Sequence, residues 1–466
     1  MLSHVCQGNK ILISNLHAQD TAHLFHPASD LKGLRQSGPL IWSRAEGVYV
    51  YDDHGRKYLE GMAGLWCTAI GYGNRELARV AAEQIETLCY APLFAGRSNE
   101  PSIRLAAELA DWVPMDDARF LFGCSGSDSN DTQVKLVRYY FNAIGQPQRK
   151  KILSRGNAYH GTTLLTANLT GLPAFHRHFD LPGPDVIHLT APYHYRHAEL
   201  GESEQAFSER LAAELEATIA REGPETIAAM IAEPMMGAGG VIPPPEGYWE
   251  RIQPILDEYG ILLIDDEVVC GFGRTGQPFG AQTWNLRPAT MTFAKALSSA
   301  YQPISAVAVP PFMYEAIEDA AAEVGLFAHG LTYAGHPVAA AVACRNLELM
   351  REMDLMNQAA ATGEYFQQQL CLRLGDHELV GQLRGRGLIA GLELVADRAS
   401  KRAFAPSEKI AFKAAAACLA EGLVVRALPG DTVAVCPPLV ITREQVDELV
   451  DKLVRGLDRV KTQIAG

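Results

Sequence analysis

Apolar residues recur at helical spacing in several stretches of the chain and in short, dense runs between them. From Glu76 to Tyr90, Leu77, Val80, Ala81, Ile85 and Leu88 fall on one helical face. Ser203 to Arg221 repeats the pattern with Phe207, Leu211, Leu215 and Ile219, and Gly223 supplies a C-terminal stop. A final helix is predicted after Thr442, which forms a capping-box pair with Gln445; Val446, Leu449, Val450, Leu453, Leu457 and Val460 line its inner side. The runs Phe120 to Phe122, Ile227 to Ala232 and Ile261 to Ile264 are apolar on both faces and lead at once into polar or glycine-rich residues. Such runs, alternating with amphipathic helices, predict a mainly parallel sheet covered on both sides.

The ends read differently. Val48 to Leu59 alternates around Asp52, Asp53 and Gly55 like a hairpin, and the stretch from Val424 has strand character. The expected architecture is α/β: a large domain over residues 71–336, and a smaller α+β domain from both termini, with 1–70 contributing and 337–466 completing it. Ligands in such sheets bind beyond the carboxyl ends of the strands.

Composition narrows the classes. The 466 residues carry 41 Lys and Arg against 54 Asp and Glu, a net charge of −13 with no basic run, which argues against nucleic acid or anionic lipid as partner. No apolar stretch is long enough to span a membrane, and the start lacks a basic region followed by a long apolar one. Nine scattered cysteines without Cys-x-x-Cys spacing read as free thiols, and Cys270 as a buried hydrophobe rather than a nucleophile. A cytoplasmic chain that binds small molecules is expected.

Gly271-Phe-Gly273-Arg-Thr-Gly276 follows a predicted strand and satisfies a dinucleotide-binding pattern, but it opens no helix and no acid follows until Glu315. The strand before it carries more information. Asp265, Asp266 and Glu267 end a buried apolar run, where an unpartnered carboxylate is strongly unfavourable. Lys295 stands in the apolar run Met291 to Leu297, where desolvation lowers an amine's pKa and makes it a nucleophile for carbonyls. Ser125-Gly126-Ser127-Asp128 opens a helix, and amides and hydroxyls at a helix N-terminus suit a phosphate. Buried acid, apolar lysine and phosphate cradle are together what pyridoxal 5′-phosphate requires. The five histidines from His176 to His197 lack metal-ligand spacing and read as a solvated loop.

With these residues in place, the chain resembles the class III, fold-type-I aminotransferases, in particular the amine:pyruvate (omega) and 4-aminobutyrate:pyruvate transaminases. The resemblance runs from about Leu24 to Val460 and rests on SGSDSNDTQVKLVRYY (125–140), NAYHG (157–161), AEPMMGAGGVIPP (232–244), DEVVCGFGRTG (266–276), FAKALSS (293–299) and HGLTYAGHP (329–337). It implies transfer of an amino group from a primary amine or omega-amino acid to pyruvate or a similar 2-oxo acid, by a ping-pong mechanism in a homodimer with a shared active site, pairing into tetramers left open. Lys295 would form the Schiff base and Asp266 would face the ring nitrogen. Ser125, Gly126 and Ser127 would hold the phosphate, with Thr332 reaching it from the neighbouring subunit. Tyr159 and Val268 would flank the ring, and Glu233 would lie close to it and help orient Asp266. Trp66 and Tyr159 would bound the substrate, and Arg426 would bind its carboxylate.

The chain departs from the family pattern at Ala296, Ala300 and Ser305, where glycine is usual, and at Asp128 and Ser129. Asp265 stands where a small residue is common. Ala28 replaces a pocket phenylalanine, which would open the small pocket or leave Phe25 to fill it. A related cofactor enzyme, such as an aminomutase or decarboxylase, and a non-catalytic homologue remain open alternatives at this point.

Overall fold

The computed structural model describes residues 16–465. In the N-terminal sheet, β1 (Trp42–Glu46), β2 (Tyr49–Asp52) and β3 (Lys57–Glu60) pair antiparallel in sequence order. The expected hairpin is the β2–β3 connection. The Asp52 carboxylate closes it by accepting the amides of His54 (3.0 Å) and Arg56 (2.9 Å), a side chain standing in for a backbone turn.

The largest sheet comprises β4 (Arg119–Gly123), β5 (Lys151–Arg155), β6 (Val186–Leu189), β7 (Ile227–Ala232), β8 (Leu262–Asp266), β9 (Thr290–Phe293) and β10 (Ser305–Val309), in the order β4-β10-β9-β8-β7-β5-β6. Only β10 opposes its neighbours; the pairs from β9 through β6 are parallel. Every residue of β7 is buried, as its unbroken apolar run requires when both faces are covered. The amphipathic stretches are helices Arg75–Leu88 and Glu204–Glu222; in the latter, Ser203 accepts the Ala206 amide and Gly223 ends the helix at φ +87°. Helix Arg443–Ala465 begins as expected, with Thr442 and Gln445 exchanging side-chain-to-amide bonds of 3.0 and 3.3 Å.

The C-terminal sheet contains β11 (Val380–Arg386) and β12 (Ile389–Leu394). The next strand, β13 (Leu423–Val424), leaves it to pair with β3, placing Leu423 opposite Leu59. β14 (Arg426–Leu428) and β15 (Thr432–Val435) then return to β12. One short strand thus ties the C-terminal chain to the N-terminal sheet. Gly271 to Gly276 form a loop that opens no helix, and buried Arg274 within it donates to the carbonyls of Leu388 (2.9 Å) and Pro437 (2.6 Å). No helix among the described residues is long and apolar enough to cross a membrane.

Arg384 fastens the C-terminal sheet to the segment after β7. Its guanidinium donates to Gly240 O (2.7 Å), Thr432 Oγ1 (3.0 Å) and Glu393 Oε2 (3.0 Å), and Glu393 also pairs with Arg196. Removing Arg384 leaves the Gly240 carbonyl and the Thr432 hydroxyl without this donor and takes from buried Glu393 one of its two cationic partners. Arg384→Leu is therefore expected to lower the unfolding free energy by about 3–5 kcal/mol, read from urea denaturation at fixed protein concentration. An unchanged midpoint would show that Arg384 does not fasten the C-terminal sheet to the segment after β7.

Candidate active site

Five strands of the large sheet lead into one cavity of about 160 Å³. β4 is followed by Gly126, Ser127 and Asn130, β5 by Tyr159, His160 and Gly161, and β7 by Glu233; β8 ends in Asp266 with Val268 beyond it, and β9 is followed by Ala294 and Lys295. The site lies beyond the carboxyl ends of the strands, as expected for an open α/β sheet.

Asp266 is the most constrained residue there. Its Oδ2 accepts bonds from His160 Nδ1 (2.8 Å) and Asn130 Nδ2 (2.7 Å), and its Oδ1 from the Val268 amide (3.1 Å). A carboxylate offers about four acceptor positions. Three are filled, leaving one for a cationic donor in the cavity. Strand alternation turns Asp265 away: it is buried, and neither oxygen has a hydrogen-bond partner. Burial and the adjacent Glu267 carboxylate push Asp265 well above the usual carboxylate range. Burial raises Glu267 to about 7, although it accepts the amides of Gly280 (2.9 Å) and Ala281 (2.6 Å).

Lys295 adopts φ +47°, a strained backbone for a residue with a side chain. Burial lowers the pKa of its amine, opposed by the charges of Asp266, Cys67 and Glu233. Of the nearby departures from glycine, Ala300 is in the left-handed region (φ +64°), where a Cβ costs roughly 1–2 kcal/mol. Ala296 is not, and its carbonyl is held by Asn346 Nδ2 at 3.0 Å. Ser305 lies in β10, where its Oγ is 2.7 Å from that of Ser129, so two departures meet as one hydrogen bond.

At the other end of the cavity, Gly126 opens helix Gly126–Ala143, and a Cβ there would come within 3.0 Å of Val268 Cγ2. A Cβ on Gly161 would lie 2.5 Å from Ser127 Oγ, the atom that accepts the Thr162 amide at 3.2 Å. Ser125 is instead the helix N-cap, accepting the Asp128 amide at 3.2 Å, and its side chain does not line the cavity. A pinched loop of amides, an apolar wall, a buried amine and a three-bonded carboxylate fit a phosphate, an aromatic ring, an aldehyde and a ring nitrogen in turn.

Glu233 fixes the Tyr159 loop. Its oxygens accept the amides of Tyr159 (3.1 Å) and Gly237 (2.7 Å); neither bonds Asp266, and no salt bridge forms. Tyr159 packs edge-on against Phe175 at 5.5 Å. Trp66 is buried with its ring 5.7 Å from Lys295 Nζ and 4.7 Å from the Arg426 guanidinium carbon, so its indole faces both the cavity's amine and the arginine, although neither Trp66 nor Arg426 itself lines the cavity. Burial lowers the Arg426 pKa, opposed by Tyr159. Thr332 does not line this chain's cavity; its carbonyl accepts the Tyr90 hydroxyl at 2.9 Å. Phe25 is exposed and does not fill the pocket of its own chain, nor does Ala28 border it. Cys270 is buried, donates to Met235 O and has its thiol pKa raised by burial, which leaves no nucleophile there. The eight described cysteines are free.

His160 and Asn130 were not singled out from sequence, although both stand in quoted motifs; only the fold brings them to Asp266. The histidine-rich stretch differs from a solvated loop in that His176, His188 and His194 contact backbone carbonyls of Thr170, Leu169 and Glu202.

The chain belongs to the class III aminotransferases, whose family pattern it matches over residues 34–457, and its cofactor is pyridoxal 5′-phosphate. It is similar to the diaminobutyrate–2-oxoglutarate transaminase of Halomonas elongata, at 43% identity over 96% of this chain and 94% of the relative. A gamma aminobutyrate transaminase 1 (mitochondrial) of Solanum lycopersicum is 46% identical over 88% of this chain and 80% of its own length. Among solved structures, the omega transaminase of Pseudomonas jessenii in complex with PMP superposes with a TM-score of 0.95 at 46% identity, covering 97% of this chain and 99% of that one. The fold is the fold-type-I α/β arrangement.

Two predictions follow from this geometry. Because Asp265 and Glu267 titrate high in the folded chain, folding retains protons that the unfolded chain releases from about pH 4 upward. Their contribution is present at low pH and is lost as pH rises, for Glu267 through about 7. Asp265→Asn should therefore gain stability relative to the parent as pH rises above about 4, measured by chemical denaturation; a constant difference would contradict it. For Ser129 and Ser305, each single alanine leaves a buried hydroxyl without this partner and should cost about 1–3 kcal/mol, while the double variant costs less than the sum. Strict additivity would show that the hydroxyls act separately.

Proposed function

We propose that this aminotransferase moves an amino group from a primary amine or omega-amino acid to pyruvate or a similar 2-oxo acid in two alternating half-reactions. The observation that carries this reading is the Trp66 ring within 5.7 Å of Lys295 Nζ and 4.7 Å of the Arg426 guanidinium, a cation near the buried amine that suits a carboxylate. Bound in the cavity, pyridoxal phosphate supplies a carbonyl that captures the donor nitrogen and a ring that accepts the electron pair of the departing proton.

The chain's own groups do the rest. The Gly126 amide and Ser127 hydroxyl bind the phosphate at the helix N-terminus. Tyr159 and Val268 hold the ring between them. Asp266, oriented by His160 and Asn130, keeps a negative charge opposite the ring nitrogen. Lys295, its amine biased toward the neutral form by burial, holds the cofactor carbonyl and then moves the proton at the substrate carbon. Arg426 takes the oxo acid's carboxylate in a bidentate grip.

We further infer a homodimer in the cytoplasm. Exposed Tyr90 and Phe94 flank the Thr332 loop, Tyr90 donating to Thr332 O and Phe94 lying against Gly330, and Thr332 is not among the residues lining its own chain's cofactor cavity, which supports delivery to a second copy.

The test is a half-reaction screen. Amines are added singly to the pyridoxal form; a productive donor bleaches the visible band of the lysine-bound cofactor, and pyruvate restores it. Restoration by 2-oxoglutarate alone would move the acceptor assignment toward that of the Halomonas diaminobutyrate–2-oxoglutarate transaminase. Lys295→Ala should lower turnover by at least about 10²–10⁴-fold. Arg426→Ala should raise KM for pyruvate about ten- to hundredfold, the worth of charged hydrogen bonds, and leave KM for an amine without a carboxylate nearly unchanged. Equal effects on both substrates would remove Arg426 from carboxylate binding.

A further inference from the structure

Away from the cavity, His17, Asp53 and His54 bring two imidazoles and a carboxylate together, their donor atoms all within 4.8 Å of one another. Among the described residues no other His, Cys, Asp and Glu side chains form such a group. His17 Nε2 lies 2.8 Å from Asp53 Oδ2, and His54 Nε2 lies 3.9 Å from Asp53 Oδ1, so each imidazole faces a different oxygen of one carboxylate. The two rings are nearly parallel, 22° apart, with centroids separated by 6.4 Å.

We propose that His17, Asp53 and His54 form a zinc-type divalent metal site that clamps the N-terminal segment to the β2–β3 turn. A tetrahedral ion with bonds of roughly 2.0–2.2 Å holds its donors about 3.3 Å apart. The observed separations of 2.8 and 3.9 Å lie on either side of that value, within reach of small side-chain rotations. Two imidazole nitrogens with one carboxylate suit zinc and its neighbours; magnesium and calcium prefer oxygen donors. His54 is about half exposed, which leaves a fourth position to water.

The turn is set before any ion arrives. Asp52, the residue before the ligand pair, accepts the His54 and Arg56 amides, the Arg56 guanidinium (2.6 Å) and the Tyr58 hydroxyl (2.9 Å). The Asp53 amide donates to Ile41 O at 2.9 Å. His17 comes from the helical stretch 16–23. Within its own chain that N-terminal segment packs little: helix Leu31–Ser37 buries no side chain, and Leu24 and Phe25 are exposed. A metal crosslink across 36 residues removes freedom that apolar packing there does not remove.

The test uses the full-length holoenzyme, freed of metal with chelator and then titrated with zinc chloride alone. One equivalent per chain should bind at micromolar concentration or tighter, and bound zinc should slow trypsin cleavage at the exposed Lys32 and Arg35 several-fold. His17→Ala and His54→Ala should each weaken this binding more than tenfold and abolish the zinc-dependent protection, while His188→Gln should leave both intact. Variants that bind as tightly as the parent would overturn the site. Protection that is the same with and without zinc would overturn the clamp and leave His17 and Asp53 as an ordinary ion pair.

Discussion

A carboxylate at the end of a fully buried strand sets the conditions for everything around it. Asp266 lies almost without solvent, flanked in sequence by two more buried acids. An unpaired charge there is several kcal/mol unfavourable, so the surroundings must supply donors. They come from separate elements: Asn130 from the helix after β4, His160 from the loop after β5, and the backbone of Val268. Those same segments carry Gly126, Ser127 and Tyr159. Satisfying one buried charge therefore also gathers the walls of the cavity.

The lysine follows from sheet register. Asp266 is paired with Thr292 on the parallel neighbour β9, and Lys295 is three residues further on, at the same end of the sheet. Parallel pairing makes the acid and the amine leave the sheet together. The net charge of −13 has little bearing on this arrangement, because the anions of the proposed function would be held by local donors, helix amides and a guanidinium, rather than by the field of the whole chain.

Features that depend on short range were legible in the sequence. The helix stop at Gly223, the cap at Thr442, the hairpin around Asp52 and the buried run of β7 each announce themselves within a few residues, and all are present. Asp266 and Lys295 were legible because a charge in an apolar run is anomalous by itself. What was hidden depends on distant residues meeting. His160 and Asn130 look like an ordinary loop histidine and an ordinary cap until β5 and β8 are brought to one end of the sheet. The Ser129–Ser305 bond joins positions 176 residues apart that individually read as unrelated departures. Ser125 shows what a motif leaves out: in sequence it belongs to the phosphate loop, and in the fold its hydroxyl caps the helix that follows. Glu233 similarly spends both oxygens on backbone amides, which proximity in a motif cannot reveal.

The arginine against the Trp66 ring raises a question of balance. A cation fixed beside Lys295 would favour carboxylate substrates and repel the ammonium form of a donor, whereas a cation with a second resting place can yield to either. Trp66 offers that place. Its face lies 4.7 Å from the Arg426 guanidinium, an interaction worth about 0.5–2 kcal/mol depending on how far it is desolvated. A bidentate carboxylate offers charged hydrogen bonds worth about 1.5–3 kcal/mol each. On the function proposed above, the arginine would therefore leave the indole for an oxo acid's carboxylate and return to it when an apolar amine enters. The Trp66 backbone at φ +59° is strained, and such strain persists only where the surrounding structure fixes it.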